Sequence, residues 1–187
     1  MTTERYRARW VSPIVGPPLE AGVLELSDGL LTALHNRQEP RAMDLGNVAV
    51  LPGLVNAHTD LEFSDLSHAV QPAEPFTAWV RVLFAQPGSG LRDVTEILAE
   101  GLTEAATTGT RVIGEIATAG WSPELFLDQP DCESVVFREL LGLLPEHIEP
   151  QLAIAKQHLS ETKPAEVGQI TRGLSPHAPY SVHPDLF

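Results

Sequence analysis

The sequence predicts an α/β fold in which a short β segment precedes a series of parallel βα units. Two observations support this prediction. The first 50 or so residues hold short apolar runs separated by turn residues, and from Val48 onward apolar runs alternate with segments of helical periodicity. Of the 187 residues, 43% are hydrophobic and 20% are charged, as in ordinary globular proteins. We therefore expect a β segment over residues 1–52 and an α/β region over residues 53–187.

The β segment is predicted to contain strands at residues 6–11, 22–26, 30–35 and 47–51. Asp28 and Gly29 lie between two apolar runs, and both tolerate the positive φ of a tight hairpin turn. We expect a small antiparallel unit.

The α/β region is predicted to contain parallel strands at about residues 49–57, 110–116, 133–140 and 169–175, in sequential order. Apolar residues at helical spacing predict a helix over residues 91–108, followed by Gly109 at the position where helices often end in glycine. Ser122 and Pro123 begin a short helix. A further helical stripe is formed by Ile148, Leu152, Ala155 and Leu159.

The number of βα units is small for a closed barrel. A barrel of eight units takes about 250 residues, so the residues after Pro52 supply about four. Residues 183–187 resemble the first turn of a helix that does not continue. We expect a sequence truncated inside an element, and a complete small α/β protein is the alternative.

Composition narrows the class of partner. Twelve Lys and Arg against 25 Asp and Glu give a net charge of −13, which opposes binding to nucleic acid or anionic membranes. No apolar run approaches the roughly 18 residues that a membrane span needs, so we expect a soluble cytoplasmic protein. Cys132 is the single cysteine, which excludes an intramolecular disulfide and predicts a small buried side chain.

The most informative segment is residues 51–64. Alternation along a strand sends His58, Asp60 and Glu62 to one side, at the carboxyl end where barrel enzymes place their active sites. Imidazole nitrogen and carboxylate oxygen are ligands for Zn²⁺ or Fe²⁺. From these residues alone, a hydrogen-bonded histidine beside solvated acids is the interpretation that we favour over a metal site.

Several longer motifs carry a family resemblance. The stretch Val50-Leu-Pro-Gly-Leu-Val-Asn-Ala-His-Thr59 resembles the first barrel strand of the amidohydrolase superfamily, in its branch of cytosine-deaminase-like and methylthioadenosine/S-adenosylhomocysteine deaminase-like enzymes. Leu61-Glu-Phe-Ser-Asp-Leu66 with Phe76-Thr-Ala-Trp79 is closer to aminodeoxyfutalosine-deaminase-like members. Gly109-Thr-Arg-Val-Ile-Gly-Glu115 resembles the second strand, and Gly173-Leu-Ser-Pro-His-Ala-Pro-Tyr180 the fourth.

The resemblance implies a fold and a metal site. The fold is the first half of a metal-dependent hydrolase (β/α)8 TIM barrel, preceded by a small N-terminal β-sandwich segment that is an incomplete part of a composite domain. His58 would bind one divalent metal ion, Zn²⁺ by preference and Fe²⁺ as the second choice. Asp60 stands where the family has a second histidine, so it would either replace that ligand or mark a protein that has lost the metal.

The resemblance also implies substrate contacts. His177 would contact the substrate, and capping of loop backbone groups is its alternative role. Glu62 and Trp79 would line the pocket, with simple packing as the alternative for Trp79. Glu115 would either face the pocket or be a buried, hydrogen-bonded carboxylate. The family's remaining catalytic groups would lie beyond Phe187, and no role is assigned to the other histidines: His35, His68, His147, His158 and His183.

The resulting hypothesis is a metal-dependent amidohydrolase that acts on non-peptide C–N bonds, deaminating an aminated, purine-like heterocycle by means of metal-activated water. The 187 residues alone would be inactive. The alternative is a non-catalytic, metal-free remnant or interaction module of the same fold. A nucleotide-binding doubly wound domain is disfavoured because no glycine-rich phosphate loop follows a strand. The expected partner is a small-molecule substrate, and the frequency of dimers among soluble enzymes suggests a homodimer.

Overall fold

The computed structural model describes residues 2–72, 74–85, 92–118, 121–129, 131–160 and 169–187. The chain divides into two compact units, Met1–Gly53 and Leu54–Phe187. Within the described ranges, none of the helices combines the length and the apolar character that crossing a membrane requires.

The first unit consists of two small sheets. One has the strand order β5-β4-β1-β6 and the other the order β3-β2-β7. The strands are β1 Thr3–Arg7, β2 Trp10–Val11, β3 Leu19–Glu20, β4 Val23–Ser27, β5 Leu30–His35, β6 Met43–Asp44 and β7 Ala49–Val50. The predicted antiparallel unit is wrong in part, because β1 pairs with β6 and β2 with β7 in parallel.

The hairpin predicted at Asp28 and Gly29 is confirmed. These residues join β4 to β5 with φ values of 51° and 80°, and Ser27 pairs with Leu30 across the turn. The strand predicted over residues 6–11 is divided instead. At Ala8 the chain leaves one sheet for the other, because the Ala8 amide donates to Gly22 and the Trp10 amide donates to Val48.

The second unit is built on a four-stranded parallel sheet with the order β11-β10-β9-β8. Its strands are β8 Leu54–Thr59, β9 Thr110–Ala117, β10 Glu133–Leu140 and β11 Ile170–Pro176. The sequential parallel order is the one that the sequence predicts. A mixed α/β fold is therefore confirmed, and the described strands form an open sheet.

The first strand of this sheet begins later than predicted. Residues 48–55 form one apolar run, but Ala49–Val50 belongs to the first unit as β7, and β8 starts only at Leu54. Pro52 explains the division, because proline has no amide hydrogen to donate and interrupts a strand ladder.

Within the described residues, the α-helices that accompany the sheet are α1 Phe76–Ala85, α2 Val94–Thr107, α3 Pro123–Leu127 and α4 Ile148–Ser160. The sequence does not predict α1. Helix α2 begins at Val94, later than predicted, because the Asp93 side chain accepts a hydrogen bond from the Thr95 amide at 2.8 Å and caps the helix. Its predicted end is confirmed, since Gly109 follows with φ 98°.

An apolar core packs between the sheet and helices α2 and α3. It consists of residues from β9, β10, β11, α2, α3 and the turn after β8: Leu61, Leu98, Leu102, Ile113, Ala117, Phe126, Cys132, Val136 and Ile170. Cys132 is buried, as predicted. Because Leu61 belongs to this core, the turn that follows β8 is anchored to the sheet.

Helix α4 buries a different residue from the one predicted. Leu159 is 48% exposed, whereas His158 is 5% exposed. His158 is tolerated there because its Nε2 lies 3.1 Å from the Val136 carbonyl oxygen and its ring packs edge-on against Trp121.

Candidate active site

A cavity of about 850 Å³ lies at the carboxyl ends of the four parallel strands. Its wall comes from the ends of β8, β9, β10 and β11, from the turns that follow them, and from α1. The polar lining residues are His58, Asp60, Glu62, Thr77, Arg81, Thr118, Glu139, Ser175, His177, Tyr180 and Ser181. The five site residues predicted from sequence all line this cavity: His58, Asp60, Glu62, Trp79 and His177.

His58 is positioned by an irregularity in β8. Asn56 pairs with Ile113 and Thr59 with Glu115, so β8 contains one extra residue between these two points. Such a bulge bends a strand and redirects its side chains. Gly114 permits it, because a Cβ atom at this position would lie 2.4 Å from the Ala57 carbonyl oxygen.

Asp60 follows His58 on the same side of the strand. His58 Nε2 lies 3.4 Å from Asp60 Oδ2, and the two side chains are 72% and 42% exposed. Asn56, which alternation assigns to this side, does not line the cavity; its Oδ1 accepts from the His58 amide at 3.4 Å. The pair is therefore accessible to a molecule in the cavity.

The separation of this pair is compatible with shared metal ligation. A zinc ion bound tetrahedrally at about 2.1 Å to each atom would hold them about 3.4 Å apart. The residues that the structure describes contain no group of three or more His, Cys, Asp or Glu arranged to hold a metal ion. The pair thus fits part of a metal site, and the described residues do not complete it.

Glu62 is held by a neighbouring strand end. The Thr118 hydroxyl, just after β9, donates a hydrogen bond to Glu62 Oε2. This contact orients the carboxylate in the cavity wall, where its second oxygen can accept a hydrogen bond from a bound molecule.

Trp79 lies on α1 and contributes an aromatic surface. Its ring stacks with that of Phe76 at a centroid distance of 5.8 Å and an interplanar angle of 24°. Both residues line the cavity, and Phe76 is 58% exposed. Aromatic faces of this kind stack on planar rings.

Glu115 is a buried, hydrogen-bonded carboxyl group rather than part of this cavity wall. It is 1% exposed, its Oε2 lies 2.6 Å from Thr59 Oγ1, and its Oε1 accepts from the Leu61 amide at 3.1 Å. Burial raises its pKa to about 8, and the neighbouring carboxylates of Asp60 and Glu62 act in the same direction. Glu115 thus fastens the turn that carries Asp60 and Glu62.

Glu139 is a wall residue that the sequence analysis misses. Burial raises the pKa of its carboxyl group, and the charges of Asp60 and Glu62 raise it further, while His177 lowers it. A usable signal is present, because Glu139 is the penultimate residue of β10 and alternates with the buried Val136 and Leu140, so it lies on the opposite face, where it lines the cavity.

His177 follows β11 and is held by its own loop. Its amide donates to the Leu140 carbonyl oxygen at 3.1 Å, its Nδ1 lies 2.6 Å from Ser181 Oγ, and its ring meets Tyr180 edge-on at 6.0 Å. Two prolines lie close to the histidine in sequence, but the contacts with Leu140, Ser181 and Tyr180 position the ring. Ser181 is the second residue that the sequence analysis does not identify.

The chain was compared with protein families, curated proteins and solved structures. No family model matches it. It is 30% identical over 175 residues to the aminodeoxyfutalosine deaminase of Deinococcus radiodurans, covering 89% of this chain and 40% of that protein. It is 27% identical over 146 residues to the adenosine deaminase of Helicobacter pylori, covering 78% of this chain and 35% of that protein.

Solved structures show the same fold. The aminofutalosine deaminase of Helicobacter pylori in complex with methylthio-coformycin matches with a TM-score of 0.78 and 23% identity, covering 97% of this chain and 46% of that one. The guanine deaminase of C. acetobutylicum with bound guanine matches with a TM-score of 0.71 and 10% identity, covering 94% and 46%. The chain spans about 40% of the length of the first curated relative. By sequence, the chain is similar to proteins named as deaminases, and its partial-length matches fit the N-terminal half of such a protein.

Proposed function

We propose that the protein to which this chain belongs removes an exocyclic amino group from a purine-like heterocycle by hydrolysis. The observation that supports this proposal most directly is the cavity, whose wall contains His58, Asp60, Glu62, Trp79 and His177. In the reaction, water supplies the oxygen that replaces the amino group, the bond between the ring carbon and the exocyclic nitrogen breaks, and ammonia leaves. The curated relatives in Deinococcus radiodurans and Helicobacter pylori are named as deaminases, which supports this class of reaction.

The proposal includes an architecture for the whole protein. Residues 53–187 would be the first four βα units of a (β/α)8 barrel, and residues 1–52 would form part of a composite β-sandwich domain. Parallel sequential strands and the partial coverage of the relatives support this arrangement. The groups that complete the active site would then lie on the later strands.

His58 and Asp60 would hold one divalent metal ion, together with ligands from the later strands. When bound, such an ion lowers the pKa of a coordinated water molecule toward about 7 and so supplies a nucleophile at neutral pH. The 3.4 Å separation of His58 Nε2 and Asp60 Oδ2 supports their pairing as ligands. Zn²⁺ rather than Fe²⁺ stays a prediction, as do the cytoplasmic location and the homodimer.

The chain's other wall residues would bind and orient the substrate. The stacked rings of Trp79 and Phe76 offer a face for a planar heterocycle. Glu62, held by Thr118, would accept a hydrogen bond from a hydroxyl or amino group. His177 would contact the ring or its substituent from the opposite side of the cavity.

The charge of the wall favours an uncharged substrate. Among the described lining residues, Asp60, Glu62 and Glu139 are carboxylic acids, and Arg81 is the arginine. Phosphate groups would be repelled by the ionised acids. We therefore expect bases or nucleosides to be preferred over nucleotides.

One observation favours the non-catalytic alternative. Asp60 replaces the family's second histidine, and the described residues alone do not complete a metal site. A remnant that has lost its metal would keep the fold and the cavity but would not catalyse the reaction. Measurements of metal content and ammonia release therefore distinguish the two functions.

The test is ammonia release by the intact, zinc-supplemented protein with a panel of aminated purine bases, nucleosides and nucleotides. We expect release with a base or nucleoside. His58→Ala should lose both metal and activity, and His177→Ala should lose activity with little change in metal content.

His68→Ala is the matched control, because His68 is exposed and does not line the cavity. Its activity should equal that of the wild type. Absence of ammonia release from the metal-loaded wild type with the whole panel would favour the remnant, and equal metal loss in both site variants would make His177 a ligand.

A further inference from the structure

The Ser181 hydroxyl makes two contacts that bear on which imidazole nitrogen of neutral His177 carries the hydrogen. Ser181 Oγ donates to the Ala178 carbonyl oxygen at 3.1 Å, and it lies 2.6 Å from His177 Nδ1. A hydroxyl has one hydrogen to donate. The Ala178 carbonyl can only accept, so a Ser181 hydroxyl that donates there acts as acceptor toward the imidazole. In that arrangement the hydrogen between the ring and Ser181 belongs to Nδ1.

The backbone around Ser181 is fixed on both sides. Its amide donates to the Ala178 carbonyl oxygen at 2.9 Å, and its carbonyl accepts from the Gly142 amide at 2.9 Å. The next residue, Val182, is fully buried. Because the loop is fastened to the chain that follows β10, the Ser181 hydroxyl is a rigid acceptor for the ring.

Other histidines of the chain have the opposite arrangement. His35 Nδ1 accepts from the Arg37 amide at 3.2 Å, and its Nε2 lies 3.2 Å from a Glu25 oxygen. His183 Nδ1 accepts from the Asp185 amide at 3.2 Å. Both neutral rings thus carry their hydrogen on Nε2, which is also the form that a free histidine side chain favours. His177 differs from them because of Ser181.

We propose that Ser181 is a positioning residue that holds neutral His177 in the Nδ1–H tautomer. Nε2, on the other side of the ring, then presents a lone pair to the cavity that His177 lines, where it accepts a hydrogen bond from an amino or hydroxyl group of the substrate. Within the described residues, Nε2 has no hydrogen-bond partner. The substrate contact rests on the proposed function, whereas the tautomer does not.

Nitrogen-15 NMR of the imidazole groups tests the tautomer without substrate. The spectra are recorded on metal-free protein above about pH 8, where an ordinary histidine is neutral, and His177→Gln assigns the signal. We expect the wild-type signature of His177 to be Nδ1–H and that of His35 to be Nε2–H. Ser181→Ala should convert His177 to the Nε2–H form, and Ser181→Thr, which keeps a hydroxyl, should retain Nδ1–H.

The His35 signature shows whether each variant has kept its fold. An Nε2–H signature for wild-type His177, or an Nδ1–H signature that survives in a folded Ser181→Ala variant, overturns the proposal.

Steady-state kinetics of the intact protein test the consequence. Loss of one positioning hydrogen bond corresponds to about a tenfold decrease in kcat/KM for Ser181→Ala, with recovery in Ser181→Thr. An unchanged kcat/KM despite a converted tautomer would overturn the positioning role. If the wild type has no deaminase activity while the NMR result is as expected, the proposed function fails and the tautomer assignment stands.

Discussion

The substitution Glu115→Gln should make the stability of the second unit less sensitive to alkaline pH. Glu115 is 1% exposed, and burial raises its pKa from 4.5 to about 8. Because its folded-state pKa lies above the unfolded value, folding favours the protonated carboxyl. The stability contributed by that proton is fully present below pH 4.5 and is lost as the pH rises to about 8.

The magnitude follows from the linkage between proton binding and folding. Each pKa unit corresponds to about 1.4 kcal/mol, so the free energy of unfolding should fall by about 5 kcal/mol between the two pKa values. Glutamine mimics the protonated carboxyl, because its oxygen can accept from the Leu61 amide, and its NH₂ group can donate to Thr59 Oγ1 when the Thr59 hydroxyl donates to the Gly114 carbonyl oxygen. Wild type and variant should therefore be similar in stability at pH 5, and the variant should be several kcal/mol more stable at pH 9.

Urea unfolding at both pH values, in metal-free buffer, measures the difference. Glu104→Gln is the control, since Glu104 is an exposed glutamate on α2 and the same charge change there should leave the pH dependence unaltered. A Glu115→Gln variant that is destabilised equally at pH 5 and pH 9 would refute the protonated, buried carboxyl.

Three further predictions concern single contacts. Gly173→Ala should lower the free energy of unfolding by about 1–3 kcal/mol, measured by urea titration, because its Cβ would lie 2.6 Å from the Phe137 ring; an unchanged midpoint would argue against this packing. Asp93→Ala should cost about 1 kcal/mol in the same titration through loss of the helix cap on Thr95, and Asp93→Asn should recover most of it; a cost in both variants would point away from the cap. Asp60→His should strengthen zinc binding in a chelator competition, and weaker binding would mean that Asp60 is the better ligand.

The sheet was predictable from sequence because its strands are short runs rich in apolar and β-branched residues that alternate with helical segments, and the runs over residues 110–116 and 133–140 agree closely with β9 and β10. Apolar character alone does not predict that the run over residues 48–55 is divided into β7 and β8. The division comes from Pro52, which has no amide hydrogen for a strand ladder. Helix α1 carries a usable signal in the sequence, because Phe76, Trp79, Val80 and Leu83 recur at helical spacing and all line the cavity.

The candidate site was predictable where it follows strand alternation. His58, Asp60 and Glu62 are two residues apart, and His177 comes just after a predicted strand, so their shared cavity follows from parallel topology. Ser181 could not be found in this way, since its contact with the His177 ring depends on a loop conformation that no periodicity encodes.

The most direct test of the central claim is the origin of the oxygen in the product. The intact, zinc-loaded protein is incubated with an aminated purine nucleoside in water enriched in oxygen-18, and the product is examined by mass spectrometry. Hydrolytic deamination predicts release of ammonia and one oxygen-18 atom in the ring product, at a rate that His58→Ala abolishes and His68→Ala leaves unchanged. An unlabelled product, or the same labelled product at an undiminished rate from His58→Ala, would contradict the account.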